Sequence, residues 1–154
     1  MKTLRIIGMA VIAVIMSVNF AACSDDDEDI DVAQLEGTWG LTNDEGYEIY
    51  EGERDSWNDQ YDPSNPTDDC EKVVISKGAD GIYSMVHYEY YNNQWQQYGT
   101  EKFTLDGNNL IPADGDAEVE SVKLLVANGS QLVLEIKGTD EDGEFYNKMT
   151  YKRM

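Results

Sequence analysis

Apolar and polar residues alternate along most of the chain beyond residue 34, with the two-residue period of a half-buried β-strand. In the first such segment Leu35, Gly37, Trp39 and Leu41 share one side. Strands are predicted at residues 35–41, 47–50, 72–76, 82–91, 95–105, 109–111, 120–127, 131–137 and 145–153. No segment beyond residue 34 combines sustained helical periodicity with capping residues. The pattern therefore predicts an all-β fold.

Short turn sequences separate the predicted strands. Asx-Gly pairs end at residues 81, 107, 129 and 143, and Asn92 and Asn93 form a further pair. Such pairs supply the positive φ angles that tight hairpins require. Residues 43–46 are predicted to form the turn between the first two strands. Because most connections are short hairpins, the sequence predicts an antiparallel up-and-down barrel of about eight strands, with a β-sandwich as the alternative.

Residues 51–69 interrupt this pattern and are predicted to form one long polar loop, which in a compact domain is either functional or mobile. Its carboxylates are candidates for calcium binding, since this cation prefers several oxygen ligands. They are Asp55, Asp59, Asp62, Asp68 and Asp69. None of them follows EF-hand spacing, so solvated charge is the favoured interpretation and no metal is predicted.

The N-terminus has the pattern of a signal peptide, predicted to span residues 1–22. Residues 1–5 form a short basic region that contains Lys2 and Arg5. The apolar stretch of residues 6–18 would span about 20 Å as a helix, which is shorter than a bilayer core of roughly 30 Å. Phe20, Ala21, Ala22 and Cys23 resemble a bacterial lipobox. The resemblance implies cleavage before Cys23 and a diacylglycerol anchor on its thiol. An ordinary secretory signal is the alternative.

Residues 23–34 are predicted to form a flexible acidic tether, because runs of like charge repel one another and stay solvated. After the cysteine come Ser24, Asp25, Asp26, Asp27, Glu28 and Asp29. This arrangement resembles the surface-export signal of lipoproteins from certain Gram-negative bacteria. The resemblance implies a lipid-anchored protein on the outer surface of the outer membrane, with the periplasmic face as the alternative.

Acidic residues outnumber basic ones by 31 to 11, which gives a net charge of −20. Residues 1–22 hold two basic residues and no acidic one, so their removal would change this charge to −22. Phosphate backbones would repel such a chain, which excludes nucleic acid as a partner. The same field would attract a basic protein, and a protein-interaction or inhibitor module is therefore the alternative function.

The segment Gly37-Thr38-Trp39 on the first predicted strand resembles the Gly-x-Trp motif of lipocalins, and residues 35–154 resemble the lipocalin-like domains of bacterial lipoproteins. The resemblance implies a barrel that binds a small apolar or glycan ligand in its mouth. In a closed barrel the last strand pairs with the first. If Phe145 and every second residue after it face inward, Arg153 reaches Trp39 and closes the barrel by a cation–π contact.

An aromatic hairpin is the candidate for ligand contact, because flat rings interleaved with amides suit sugar faces and hydroxyls. Its rings are Tyr88, Tyr90, Tyr91, Trp95 and Tyr98. Ordinary packing in the sheet is the alternative, since strand alternation sends about half of these rings into the core.

No catalytic residue or cofactor is predicted, and the chain is not expected to be an enzyme. His87 is the only histidine, which removes most catalytic triads and zinc sites. Cys70 is expected to be a small, partly buried residue at the start of a strand, and it would pair with Cys23 only if the lipobox interpretation is wrong.

Overall fold

The computed structural model of the protein describes residues 30–113, 119–140 and 143–154. Its elements are a 3-10 helix, Val32–Gln34, and nine strands: β1 (Gly37–Tyr50), β2 (Glu53–Gln60), β3 (Glu71–Lys77), β4 (Tyr83–Tyr91), β5 (Gln94–Asp106), β6 (Asn109–Pro112), β7 (Val119–Ala127), β8 (Gln131–Thr139) and β9 (Glu144–Arg153). Within these described ranges, no helix is long and apolar enough to cross a membrane.

Eight antiparallel strands form a closed ring. β1 is followed in space by β3, β4, β5, β6, β7, β8 and β9, and β9 pairs back with β1. The closing ladder runs from Trp39 opposite Arg153 to Glu48 opposite Phe145. This architecture confirms the predicted all-β barrel of about eight strands.

Along one of its edges, the long strand β1 pairs with two different strands. Residues 37–40 pair with β3, and residues 43–50 pair with β2, which in the sheet order neighbours β1 alone. The prediction of a turn at residues 43–46 is therefore wrong. Those residues continue the strand across a bulge at Thr42, because they gain backbone partners on both β2 and β9.

The prediction of one loop over residues 51–69 is also wrong, since residues 53–60 form β2. Most of β2 is exposed and polar on both faces, so it lacks the alternation that identifies a strand in sequence. The loop proper begins after Gln60, where Pro63 lies fully buried against the outer face of β1 at Gly40.

The chain packs against the barrel from Ile30 onward. Ile30 forms a parallel bridge with Ala127, and the Asp31 N–H donates to the Ala127 carbonyl at 2.7 Å. Ile30 and Val32 both pack against the core. The structure thus differs from a tether that extends to residue 34, because these two apolar side chains find a buried surface.

One end of the barrel is closed by Trp39 and Arg153. The Arg153 guanidinium lies 4.2 Å from the centre of the Trp39 ring, in the contact that the pairing of first and last strands predicts. Arg153 also donates to the carbonyls of Gln34, Glu36 (3.0 Å) and Gly129 (3.1 Å). Gly37 has φ +146°, and a Cβ there would collide with the guanidinium, so this closure requires glycine.

Replacing Arg153 with Ala should destabilise the barrel by about 3 kcal/mol, because the cation–π contact and three charge-assisted hydrogen bonds are lost together. Arg153→Lys should recover only part of this, since an ammonium cannot reach all three carbonyls. Urea denaturation measures the difference. Lys152→Ala is the matched control: it removes an exposed ion pair with Asp62 (3.6 Å) and a hydrogen bond to Ser64 (2.7 Å), and it should cost far less than Arg153→Ala. Equal losses for the two alanine variants would contradict the role of Arg153.

Candidate functional site

The barrel interior is filled at the end closed by Arg153. The inward rows there carry large apolar side chains that are almost completely buried. We call this level the floor, formed by Trp39, Leu41, Val73, Ile75, Tyr83, Met85, Phe103, Leu124, Leu132, Leu134 and Tyr151. Trp39 is 0% exposed, and its indole N–H donates to the Leu35 carbonyl at 2.9 Å. The floor leaves the opposite end of the barrel as the place where a ligand can enter.

Above the floor the inward rows of β1 to β5 turn polar and are partly exposed to solvent, whereas Ile136 and Asn147 on β8 and β9 stay buried. Side chains of directly paired residues lie on the same face of a sheet. Glu101 is paired with the core residue Met85, and Asp44 is paired with Met149, which packs against the core. The inward carboxylates of this level form the acidic tier, which consists of Asp44, Asp59, Glu71, Glu89 and Glu101.

Three members of the acidic tier have a contact from another interior side chain. The Trp57 indole N–H donates to Asp44 Oδ1 at 3.0 Å, and the Tyr98 hydroxyl donates to Glu71 Oε2 at 3.0 Å. His87 Nε2 lies 3.3 Å from Glu101 Oε1. These contacts fix the directions of the carboxylates but leave further lone pairs on each of them.

The buried carboxylates of the acidic tier have raised pKa values. Burial is the main cause that raises the pKa of both Asp44 and Glu71, and neighbouring carboxylates add to it. Burial and the charges of Asp59, Asp44 and Glu71 raise the pKa of Tyr61 to about 12. Burial and then Glu71 likewise raise the pKa of Tyr98. The acids and tyrosines therefore face one another across a shared interior.

Basic residues lie elsewhere in the described barrel. On the inward rows they are Lys77, whose ammonium lies 5.0 Å from the centre of the Tyr83 ring, and Arg153 over Trp39. Both belong to the closed end. The other basic residues of the described strands occupy outward positions: Arg54, Lys72, Lys102, Lys123, Lys137, Lys148 and Lys152. The open level is consequently negative, with His87 as the titratable base among its described residues.

Two buried polar atoms at this level make no hydrogen bond: Asn147 Oδ1, and His87 Nε2, whose 3.3 Å approach to Glu101 lacks hydrogen-bond geometry. Asn147 is 4% exposed and His87 8%. Asn147 lies on an inward row between Gly46 and Ile136, and its side-chain amide is close enough to lower the pKa of Asp44. Unpaired buried polar atoms are costly, so their presence here marks a place where a bound group would complete the structure.

The structure divides the aromatic hairpin of the sequence analysis. Asn92 and Asn93 adopt positive φ angles of 51° and 61° at its tip, as the turn prediction requires. Tyr88, Tyr90 and Trp95 occupy outward positions, where the Lys72 ammonium lies 4.6 Å from the centre of the Trp95 ring. Tyr91 lies at the tip and is largely exposed.

Tyr98 alone of these five rings reaches the acidic tier. The pairing of β4 with β5 shifts register between His87 and Tyr88, and this bulge leaves Tyr98 without a directly paired residue. The Tyr98 ring lies 5.7 Å from that of His87. Although it contacts interior groups, Tyr98 is 52% exposed. Solvent therefore reaches the interior at this height.

The remaining candidates are distributed differently. Cys23 and residues 24–29 lie outside the described residues. Cys70 is a buried free thiol directly before β3. Asp55 and Asp59 lie on β2, whereas Asp62, Asp68 and Asp69 lie in the following loop, and within the described ranges no three His, Cys, Asp or Glu residues are grouped to hold a metal ion.

Of the acidic tier, only Asp59 was singled out from the sequence, as a candidate calcium ligand. The members of the tier come from five different strands, and only the pairing register brings them to the inward face of the same sheet. One signal was present in the sequence: Glu71 precedes Val73, and Glu89 follows His87, at the two-residue spacing that continues an inward row.

Comparisons with known proteins agree with this architecture. A family model described as a lipocalin-like domain matches residues 35–134. No curated protein matches the chain at a significant level. Among solved structures, a lipocalin whose expression the myc oncogene activates is 12% identical, with a TM-score of 0.52 over 81% of this chain and 73% of that one. The siderocalin Ex-FABP, described as having dual ligand specificities, is 11% identical, with a TM-score of 0.48 over 79% and 71%.

Replacing Glu71 with Gln should stabilise the protein at neutral pH. Because burial raises the pKa of Glu71 above its ordinary 4.5, the folded state binds the proton more tightly than the unfolded chain does. Ionisation therefore costs stability as the pH rises above 4.5. We expect a melting temperature about 3 °C above wild type at pH 7, with the gap closing below the ordinary pKa.

Glu45→Gln is the control for this thermal melt, since Glu45 neighbours Asp44 but points outward. It loses an exposed 3.0 Å ion pair with Lys148, so its melting temperature should be unchanged or slightly lower at pH 7. A lower melting temperature for Glu71→Gln than for wild type at pH 7 would contradict the cost assigned to the buried carboxylate.

Proposed function

Because the chain belongs to the lipocalin-like domain family, we propose that it binds a small ligand in the open half of its barrel while a lipid on Cys23 holds it at the cell envelope of a bacterium. Proteins of lipocalin-like families are typically binding proteins rather than enzymes. The observation that carries the ligand proposal is the division of the interior, with apolar inward rows buried at the floor and partly exposed carboxylates above it on β1 to β5.

The ligand site is formed by groups that approach from different strands. The floor supplies apolar surface, while Tyr98, Trp57 and Tyr61 supply flat rings, and the acidic tier supplies hydrogen-bond acceptors. A mostly apolar concave site with a few convergent polar groups is the usual form of a small-molecule site. A basic protein partner has only the net negative charge in its favour, so a small ligand is the better-supported function.

The anchor is proposed from the sequence alone. The basic and apolar leader, the lipobox-like residues before Cys23 and the acidic residues 24–29 support a lipoprotein exported to the outer surface of the outer membrane. The domain packs against itself from Ile30, so only residues 24–29 would separate it from the lipid. At roughly 3.3 Å per residue that spacing keeps the closed end of the barrel, where Ile30 pairs with Ala127, within about 20 Å of the bilayer region.

Gly99→Leu should block the interior. Gly99 is paired with His87 on an inward row, and a Cβ there would meet only His87 at 3.8 Å, so a leucine fits locally but projects into the open level. We expect at least an about tenfold loss of binding of the neutral apolar dye Nile red, measured by fluorescence titration. Thr100→Leu, an outward neighbour, should bind like wild type. Undiminished dye binding by Gly99→Leu, or no dye binding by wild type, would contradict a ligand site in the interior.

Cys23→Ala should abolish the anchor and release a folded domain into the soluble fraction of a Gram-negative host, because two or three acyl chains are lost. Labelling with palmitate should disappear with it. Cys70→Ala should remain labelled and membrane-bound. Protease added to intact cells should digest the wild type if residues 24–29 act as an export address, and protection would place it on the periplasmic face. Membrane retention of Cys23→Ala would overturn the lipoprotein proposal.

A further inference from the structure

The chemical class of the ligand can be deduced from the charge of the open level. The five carboxylates of the acidic tier surround it, and Glu48 and Asp55 lie farther toward the mouth on the same inward rows. The nearest inward basic residues, Lys77 and Arg153, belong to the floor end of the described barrel. Neighbouring carboxylates repel one another here, since Asp59 helps to raise the pKa of Asp44, and Asp44 and Glu89 help to raise that of Glu71. A neutral or anionic ligand would leave that repulsion in place, whereas a cation would relieve it.

A second, independent observation points to the same place. Asn147 is almost fully buried and lies on an inward row next to Asp44, whose pKa its amide lowers, yet its Oδ1 atom has no hydrogen-bond partner. An amide oxygen accepts hydrogen bonds only. The missing group is therefore a donor at the height of the acidic tier. An ammonium, with several N–H donors and a positive charge, satisfies Asn147 and the carboxylates together.

Resting on the proposed function, we infer that the ligand is a protonated organic amine, whose ammonium is bound by Asp44, Glu71 and Asn147 and whose apolar body lies toward the floor. Asp44 and Glu71 each keep acceptor capacity beyond their contacts with Trp57 and Tyr98. Below them, Leu41 and Tyr151 offer buried apolar surface on the same rows.

Aromatic rings around the tier support a cationic ligand. Tyr98 donates to Glu71, Trp57 donates to Asp44, and Tyr61 lies close enough to both carboxylates to feel their charge. Ring faces attract organic cations, and more strongly where water is excluded. A bare metal ion fits less well, because no three acidic or histidine side chains within the described ranges converge as metal ligands.

Three probes of one shape and different charge test the inference: phenethylamine, phenethyl alcohol and phenylpropionate, each titrated into the full domain by calorimetry at pH 7. The amine should bind about tenfold or more tightly than the alcohol, and the carboxylate should bind weakest. The preference for the amine should shrink at high salt, since screening weakens its attraction to the acids.

Variants identify the site. Glu71→Gln and Asp44→Asn should each reduce phenethylamine affinity about five- to twentyfold while Nile red binding persists. Asn147→Leu should reduce it as well, because the buried acceptor is removed. Glu45→Gln changes the net charge by the same amount next to Asp44 but faces outward, and it should stay within about twofold of wild type. Circular dichroism confirms that each variant is folded.

The outcomes separate this inference from the proposed function. Binding of Nile red or phenethyl alcohol without any preference for the amine would overturn the amine inference and leave interior ligand binding intact. Binding of none of the probes would overturn both. Equal losses of amine affinity in Glu45→Gln and Glu71→Gln would show that the net charge, rather than the acidic tier, attracts the cation, and would overturn the inference.

Discussion

The structure depends on the ladder between its first and last strands. Without the pairing of β1 with β9 the sheet would be open and both of these strands would be edges. The ladder also brings Arg153 over Trp39 and against the backbone of residues 34–36, so the two ends of the described chain are joined at one place. The closed floor and the inward rows above it both follow from this junction.

The interior shows a compromise between stability and binding. At the floor, aliphatic and aromatic side chains exclude water and provide most of the hydrophobic stabilisation. Above it the same strands carry carboxylates whose burial is unfavourable. A barrel optimised only for stability would continue the apolar rows, as cores generally do. Retaining charged groups at the open level is typical of a site whose groups are arranged for a ligand rather than for packing.

Alternation and turn pairs predicted β3 to β9 closely, because each of these strands has one face in the core and strong turn signals separate most of them. They failed at Asn43 to Gly46, where pairing on both edges outweighs the turn preference, and at β2, which has no buried face. The candidate site was harder to predict from the sequence than the strands. The inward turn of Tyr98 depends on a bulge, and the meeting of Asp44 with Glu71 depends on register between distant strands. Neither is encoded in any local stretch of sequence.

The position of β2 outside the closed ring has a consequence for dynamics. In the described sheet its ladder is with β1, so β2 can detach by local unfolding while the eight-stranded ring stays paired. Such an opening would carry Asp59 and the adjoining Tyr61 away from the rim and widen the route to the interior. Access to the barrel and stability of the fold therefore depend on different sets of hydrogen bonds. Sequence changes in β2 can alter the exchange rate of a ligand without destabilising the eight-stranded ring.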